Sequence, residues 1–210
     1  MEFLSSSDPV DYEYAVTVME QRVADIHVGQ AQELIWFLEH PPLYTAGTSA
    51  RAEDLLNPQF PVYQTGRGGQ YTYHGTGQLV AYCLFELKRR QSTLDLRAYI
   101  QGLERWIITA LADLGLNGKT SDAGVGIWVD TPNGDGMKKI GAIGVRVRHG
   151  ITYHGISLNI DPDLHHYAGI IPCGISEFGV TSLKDLGISI TRAEVEALLR
   201  HHAVSQIFGV

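Results

Sequence analysis

Cys173 stands in the stretch IIPCGI, held between a proline and a glycine that together favour a turn. Backbone N–H groups in such a turn can point at an oxyanion, so Cys173 reads either as a nucleophile or as an inert buried thiol. The thiolate is the reactive form. At an ordinary pKa of about 8.5 little of it exists at neutral pH, so an activating neighbour is needed. Histidine is the usual one, and His74 and His154 each occupy the tripeptide YHG. Lysine is the other: Lys138 and Lys139 open the otherwise apolar stretch MKKIGAIG. Adjacent strand residues face opposite sides, so one of the two lysines must turn toward the side of its apolar neighbours. A buried lysine needs a partner, and a thiolate would be one; the alternative is that either lysine is a solvated charge at a strand edge. Cys83 has no such company; within LVAYCLF it reads as an inert core thiol.

Other chemistries fit less well. The segment GRGGQYTYHGTG, residues 66–77, holds five glycines, which suits close approach of backbone to a ligand. It lacks the phosphate-loop pattern and leads into a strand instead of a helix. The histidine pairs His165–His166 and His201–His202 are adjacent in sequence, without the spacing of a zinc site, so no metal is expected. A net charge of −7 argues against general nucleic-acid binding. The local basic group Lys88, Arg89 and Arg90, with Arg97, Arg146 and Arg148, reads either as a docking surface for an acidic partner or as a solvated face balanced by nearby acids. No leader peptide and no apolar run of about 20 residues is apparent, so a cytoplasmic protein with free thiols and no membrane contact is expected.

The elements that must position these residues follow from periodicity. Helices are expected from Asp11 to about Val28, capped near Asp8-Pro9; over residues 94–116, capped by Ser92 or Thr93; and over 191–208, where Thr191 and Glu194 form a capping box. Strands are expected at 33–40, 42–47, 60–66, 78–87, 125–130, 138–148 and 151–160, with hairpin loops at TPNGDG and at His149-Gly150. Strands in meander order with a few helices indicate an α+β fold, a mainly antiparallel sheet packed with helices. At 210 residues, one domain spanning 1–210 is expected.

Three stretches, RGGQYTYHGTGQLVAY, KKIGAIGVRVRHGITYHGISLNI and IIPCGISEFGVTSL, in this order, resemble the lipoyl(octanoyl) transferase family over roughly residues 10 to 200. The resemblance implies the fold of biotin and lipoate protein ligases and transfer of octanoyl from acyl carrier protein to a lysine of lipoyl domains. Those acceptors are the E2 subunits of 2-oxoacid dehydrogenases and the glycine cleavage H protein, and the step opens endogenous lipoate synthesis. It needs no cofactor of its own, because the phosphopantetheine of the carrier brings the acyl group. The family nucleophile falls on Cys173 and its lysine partner on Lys139. The first substrate-binding motif covers Arg67, Gly68, Gly69, Gln70, Tyr71, Thr72, Tyr73 and His74. The second covers Ala142, Ile143 and Gly144, and the third Gly155, Ile156 and Ser157. One departure is that Thr76 replaces the proline common in HGPGQ. A narrow apolar tunnel ending near Cys173 is expected, with the glycines letting backbone approach the acyl chain. The rivals are an ATP-dependent lipoate or biotin ligase on the same fold, a lipoyl-domain amidotransferase that also uses cysteine, and a carrier-binding module without catalysis.

Overall fold

The computed structural model describes residues 1–90, 94–122, 124–131, 134, 136–171 and 179–209. The strands are β1 (Glu2–Ser5), β2 (Leu34–Leu38), β3 (Leu43–Ala46), β4 (Val62–Gln64), β5 (Tyr71–His74), β6 (Gln78–Leu84), β7 (Gly118–Lys119), β8 (Ile127–Asp130), β9 (Met137–Arg148) and β10 (Ile151–Asn159). The long helices are α1 (Tyr12–His27), α2 (Leu96–Asp113) and α3 (Arg192–Phe208). The larger sheet runs β1-β2-β6-β10-β9-β8-β7, antiparallel except between β1 and β2. A smaller sheet, β4-β3-β5, lies apart from it. This is the α+β architecture that the meander of strands predicts.

Two helix caps differ from expectation. Val10 donates its N–H to the Glu39 carbonyl at 2.8 Å, so the chain is still tied to the exit of β2 after Asp8-Pro9. Asp11 therefore caps α1, accepting from the Tyr14 N–H at 2.9 Å. Asp95 caps α2 by accepting from Ala98 at 2.9 Å; Ser92 and Thr93 lie outside the described residues. The capping box of Thr191 and Glu194 on α3 is present. Strands β1, β5 and β7 went unanticipated. β1 is short and mostly exposed, β7 has two residues, and β5 is embedded in the glycine-rich stretch.

Strand alternation sorts the larger sheet into two faces. Ile35 and Phe37 of β2 with Leu79, Ala81 and Cys83 of β6 meet one apolar side of α2 and α3. On α2 that side is Tyr99, Leu103, Trp106, Ile107 and Leu111; on α3 it is Val195, Leu199, Ala203 and Ile207, all at three- and four-residue spacing. Each such side chain contributes about 1.5–3 kcal/mol by leaving water. The alternate residues, Leu34, Trp36 and Leu38 with Val80, Tyr82 and Leu84, pack on Ala15, Met19, Val23 and Ile26 of α1. No helix among the described residues is long and apolar enough to cross a membrane.

Candidate active site

On β9 the alternation is interrupted, and the interruption decides where Lys139 goes. Ile143 and Val145 belong to the α2–α3 cluster, so an unbroken strand would send Lys139 to the same side. Instead Ile127 pairs with Gly141 while Trp128 pairs with Lys139, so one step on β8 spans two on β9. This is a β-bulge at Ile140, which joins the α2–α3 cluster and leaves Lys139 on the opposite face. Lys139 is only 6% exposed; its Nζ donates to the Val125 carbonyl at 2.9 Å and lies 5.4 Å from the Trp128 ring centre. Gly126, at φ +139°, is required there: a Cβ would come within 2.5 Å of the Lys139 Cε. The Lys139 N–H donates to the Gly179 carbonyl and its carbonyl accepts from the Thr181 N–H, both at 2.9 Å. Cys173 lies outside the described residues.

Beside Lys139, on the α1 side of the sheet, is a cavity of about 300 Å³, at the small end of ligand sites. Arg67, Gly69, Gln70, Tyr71, Thr72 and His74 line it, as do Ala142, Ile143, Gly144, Gly155, Ile156 and Ser157. A smaller adjoining cavity holds Lys139 and shares Thr72, Ala142 and Ser157 with the first. Two residues of the expected binding motif are not on the wall of the larger cavity. Gly68 ties its loop to β9 by donating to the Val145 carbonyl at 3.0 Å. Tyr73 points into the aromatic cluster of the smaller sheet, its hydroxyl 2.8 Å from His166 Nδ1. Thr76 is exposed in the β5–β6 turn, which closes through Gln78 N–H to Gly75 carbonyl at 3.1 Å, so loss of the proline ring leaves that bond in place. The wall also contains Tyr12, Ser49, Val80, Tyr82, Gly124 and Val125, none of which the motifs single out. The period-two pattern of β6 could have supplied Val80 and Tyr82; Tyr12 and Ser49 come from remote segments and leave no signal.

His154 reaches the wall through a second break in alternation. Its even neighbours Ile156 and Leu158 belong to the α2–α3 cluster. At φ +58°, a left-handed conformation that histidine tolerates better than most residues, His154 packs instead against the rings of Tyr82 and Tyr153 on the α1 side.

The site's titratable groups are mostly held neutral. His40 Nδ1 lies 2.6 Å from the Val10 carbonyl and His74 Nδ1 lies 2.7 Å from Gln78 Oε1. Both oxygens can only accept, so each Nδ1 carries the proton and each Nε2 is an acceptor. Tyr82 then donates its hydroxyl to His40 Nε2 at 2.7 Å. Burial lowers His40 to about 4 and both His74 and His154 to about 3; Arg67 adds to the latter two. Burial raises Tyr12 to about 12. Arg67 donates to Thr45 Oγ1 at 2.6 Å and to the carbonyls of Thr45, Gly68 and Gln70 at 2.9, 2.9 and 3.0 Å, clamping its loop onto β3. Cys83 is fully buried in the α2–α3 core, where burial pushes its thiol up, as an inert cysteine should behave. In the basic group, Arg89 pairs with Glu86 and Arg90 with Glu33, and Arg90 also lies 4.1 Å from the Phe208 ring centre. Nearby acids thus balance part of that surface.

Residues 11–203 match the model of the lipoyl protein ligase A/B catalytic domain. An octanoyltransferase of Paramagnetospirillum magneticum is 57% identical over all of this chain and 97% of its own length. Among solved structures, a bipartite lipoate protein ligase of Thermoplasma acidophilum superposes with a TM-score of 0.69 at 15% identity, covering 99% of this chain and 82% of its own. A biotin protein ligase of Aquifex aeolicus superposes at 0.55 and 11% identity, covering 99% and 68%. At such identities the structural likeness speaks to fold, which is that of lipoate and biotin protein ligases.

Proposed function

The chain belongs to the octanoyltransferases within the lipoyl protein ligase A/B catalytic family, and from that premise we propose its reaction. Acting in the cytoplasm as one catalytic domain over residues 1–210, it moves octanoyl from the phosphopantetheine thioester of acyl carrier protein to a lysine of a lipoyl domain. The acceptors are E2 subunits of 2-oxoacid dehydrogenases and the glycine cleavage H protein. The observation that carries this reading is Lys139, a buried amine in the small cavity that adjoins the larger, acyl-sized one.

In the first step the Cys173 thiolate attacks the donor thioester carbonyl. A carbon–sulfur bond to the enzyme forms, the bond to phosphopantetheine breaks, and the carrier leaves as its thiol after taking up the proton that Cys173 gave up in forming its thiolate. One thioester replaces another, so the step needs no ATP. In the second step the acceptor amine attacks octanoyl-Cys173: a carbon–nitrogen bond forms, the carbon–sulfur bond breaks, and the proton that the amine gives up is taken up by the departing Cys173 sulfur. The amide is more stable than the thioester, which sets the direction. Lys139 activates Cys173, either as an ammonium that favours the thiolate or as a base that takes the thiol proton. Support for this pairing comes from Gly179, six positions after Cys173, which is hydrogen-bonded to the Lys139 backbone. The expected binding residues of the three motifs, all but Gly68 and Tyr73, line the cavity in which the acyl chain is held. An ATP-dependent ligase would need no thiol, and the 57% identity to an octanoyltransferase favours transfer over ligation.

Intact-protein mass after incubation with octanoyl-acyl carrier protein, without ATP, tests the route. The parent should gain one octanoyl group and lose it to an added lipoyl domain. Cys173→Ala should gain none, and Lys139→Ala should acylate more slowly by about 10²–10⁴-fold, the usual worth of a positioned acid–base partner. Labelling of the lipoyl domain by Cys173→Ala from ATP and free octanoate would make the chain a ligase.

A further inference from the structure

We infer that Tyr82 and Tyr12, backed by His40, form the floor of the acyl cavity and set the longest chain the enzyme accepts; the inference rests on the octanoyl-transfer reading above. The cavity runs across the larger sheet. Val125 and the wall shared with Lys139 lie at its β9 side, Gly155 and Ser157 of β10 lie beneath its middle, and Val80 and Tyr82 of β6 with Tyr12 of α1 lie at its far side. From β9 to β6 is two strand spacings of about 4.8 Å, or roughly 10 Å. An octanoyl chain has seven carbon–carbon bonds of about 1.5 Å, which in zigzag span roughly 9 Å. The span of the cavity and the length of the chain therefore agree when the thioester sits on the Lys139 side.

The far side closes on aromatic rings. Between its ends the wall offers Ala142, Gly144, Gly155 and Ser157, whereas the floor presents the phenol rings of Tyr12 and Tyr82, with the His40 imidazole packed behind them. Both nitrogens of His40 are engaged, one by the Val10 carbonyl at 2.6 Å and the other by the Tyr82 hydroxyl at 2.7 Å. This chain of bonds fixes Tyr82 against the N-terminal approach to α1, so the ring cannot swing aside without breaking it. The Tyr12 ring packs edge-on against His40 with centroids 5.4 Å apart, and its buried hydroxyl has no hydrogen-bond partner among the described residues. A ninth or tenth carbon would have to displace Tyr82 or press methylenes onto that hydroxyl, both unfavourable. A shorter chain loses apolar burial, at about fourfold in affinity per missing methylene. Eight carbons is the length at which the two penalties meet.

The test is the rate of transfer from hexanoyl-, octanoyl-, decanoyl- and dodecanoyl-acyl carrier protein to a lipoyl domain. In the parent, kcat/KM should rise to octanoyl and fall at least tenfold at decanoyl. Tyr12→Ala and Tyr82→Leu deepen the floor and should each raise the decanoyl-to-octanoyl ratio tenfold or more, while Tyr82→Phe, which keeps the ring, should raise it less. Octanoyl transfer with an equal rate for dodecanoyl in the parent would overturn the floor and leave the reaction standing, and so would an unchanged ratio in a folded Tyr12→Ala or Tyr82→Leu. No octanoyl transfer by the parent at all would overturn the reaction itself. Because the parent profile needs no substitution, poor folding of one variant does not shield the inference.

Discussion

The two faces of the larger sheet are built by the same strands under different rules. Toward α2 and α3, alternation on β2 and β6 delivers a continuous apolar set and the helices match it at three- and four-residue spacing. Toward α1 and the cavity, alternation is broken twice, by the bulge at Ile140 and by the left-handed backbone of His154. Both breaks transfer a polar side chain from the side it would have occupied to the side of the cavity. Regularity makes the core, and local departures from it place chemistry beside the core without opening it.

The contrast can be broken at the core face first. Trp106 is fully buried and its indole N–H donates to the Leu199 carbonyl at 2.7 Å, joining α2 to α3. Trp106→Ala should cost about 3–5 kcal/mol in a urea melt, while octanoyl transfer per folded molecule stays near the parent value. A similar loss of transfer without loss of stability would mean that the two faces are not separable.

Acid should strike the cavity face. His40, His74 and His154 are lowered in the folded chain to about 4, 3 and 3, below their unfolded value of about 6.5. The unfolded chain therefore binds more protons between these limits, so their contribution is present above pH 6.5 and is lost as pH falls toward the folded values. Each should give a slope of about 1.4 kcal/mol per pH unit over that window. Urea midpoints of the parent and of His40→Gln between pH 7 and 5 measure it, and the variant's curve should be flatter.

The smallest effect sharpens the comparison at a single methyl group. A Cβ on Gly144 would stand 2.9 Å from Arg67 Cδ and 3.3 Å from the Gly68 carbonyl. Gly144→Ala should push the Arg67 loop into the cavity, raising KM for octanoyl-acyl carrier protein about tenfold, a change of roughly 1.4 kcal/mol. The melting temperature should move by only a few degrees, and a larger shift would assign Gly144 to the core instead.

Much of this architecture was legible because its signals are local. The apolar spacing of α2 and α3, the Thr191–Glu194 box, the run LIWFL of β2 and the His149-Gly150 turn each specify their own element within a few residues. The caps at Asp11 and Asp95 were misjudged because where a helix begins also depends on what the preceding residues bond to, as Val10 does with Glu39. β5 was hidden because its partner β3 lies some 30 residues earlier and the intervening glycines dominate the text.

Periodicity, turn chemistry and the three motifs were sufficient for the sequence alone to determine the three long helices, seven of the strands, the mainly antiparallel sheet, and the candidacy of Cys173, Lys139 and the two YHG histidines. Alternation also required that Lys138 and Lys139 part company. Which of them turned inward, that His154 joined Tyr82, and that Tyr12 closed the far end of the cavity were decided only by the tertiary structure. A bulge exists only relative to the strand beside it, and a left-handed residue persists only where surrounding packing holds it. Neither pairing across strands nor packing between remote segments is written in the residues next door.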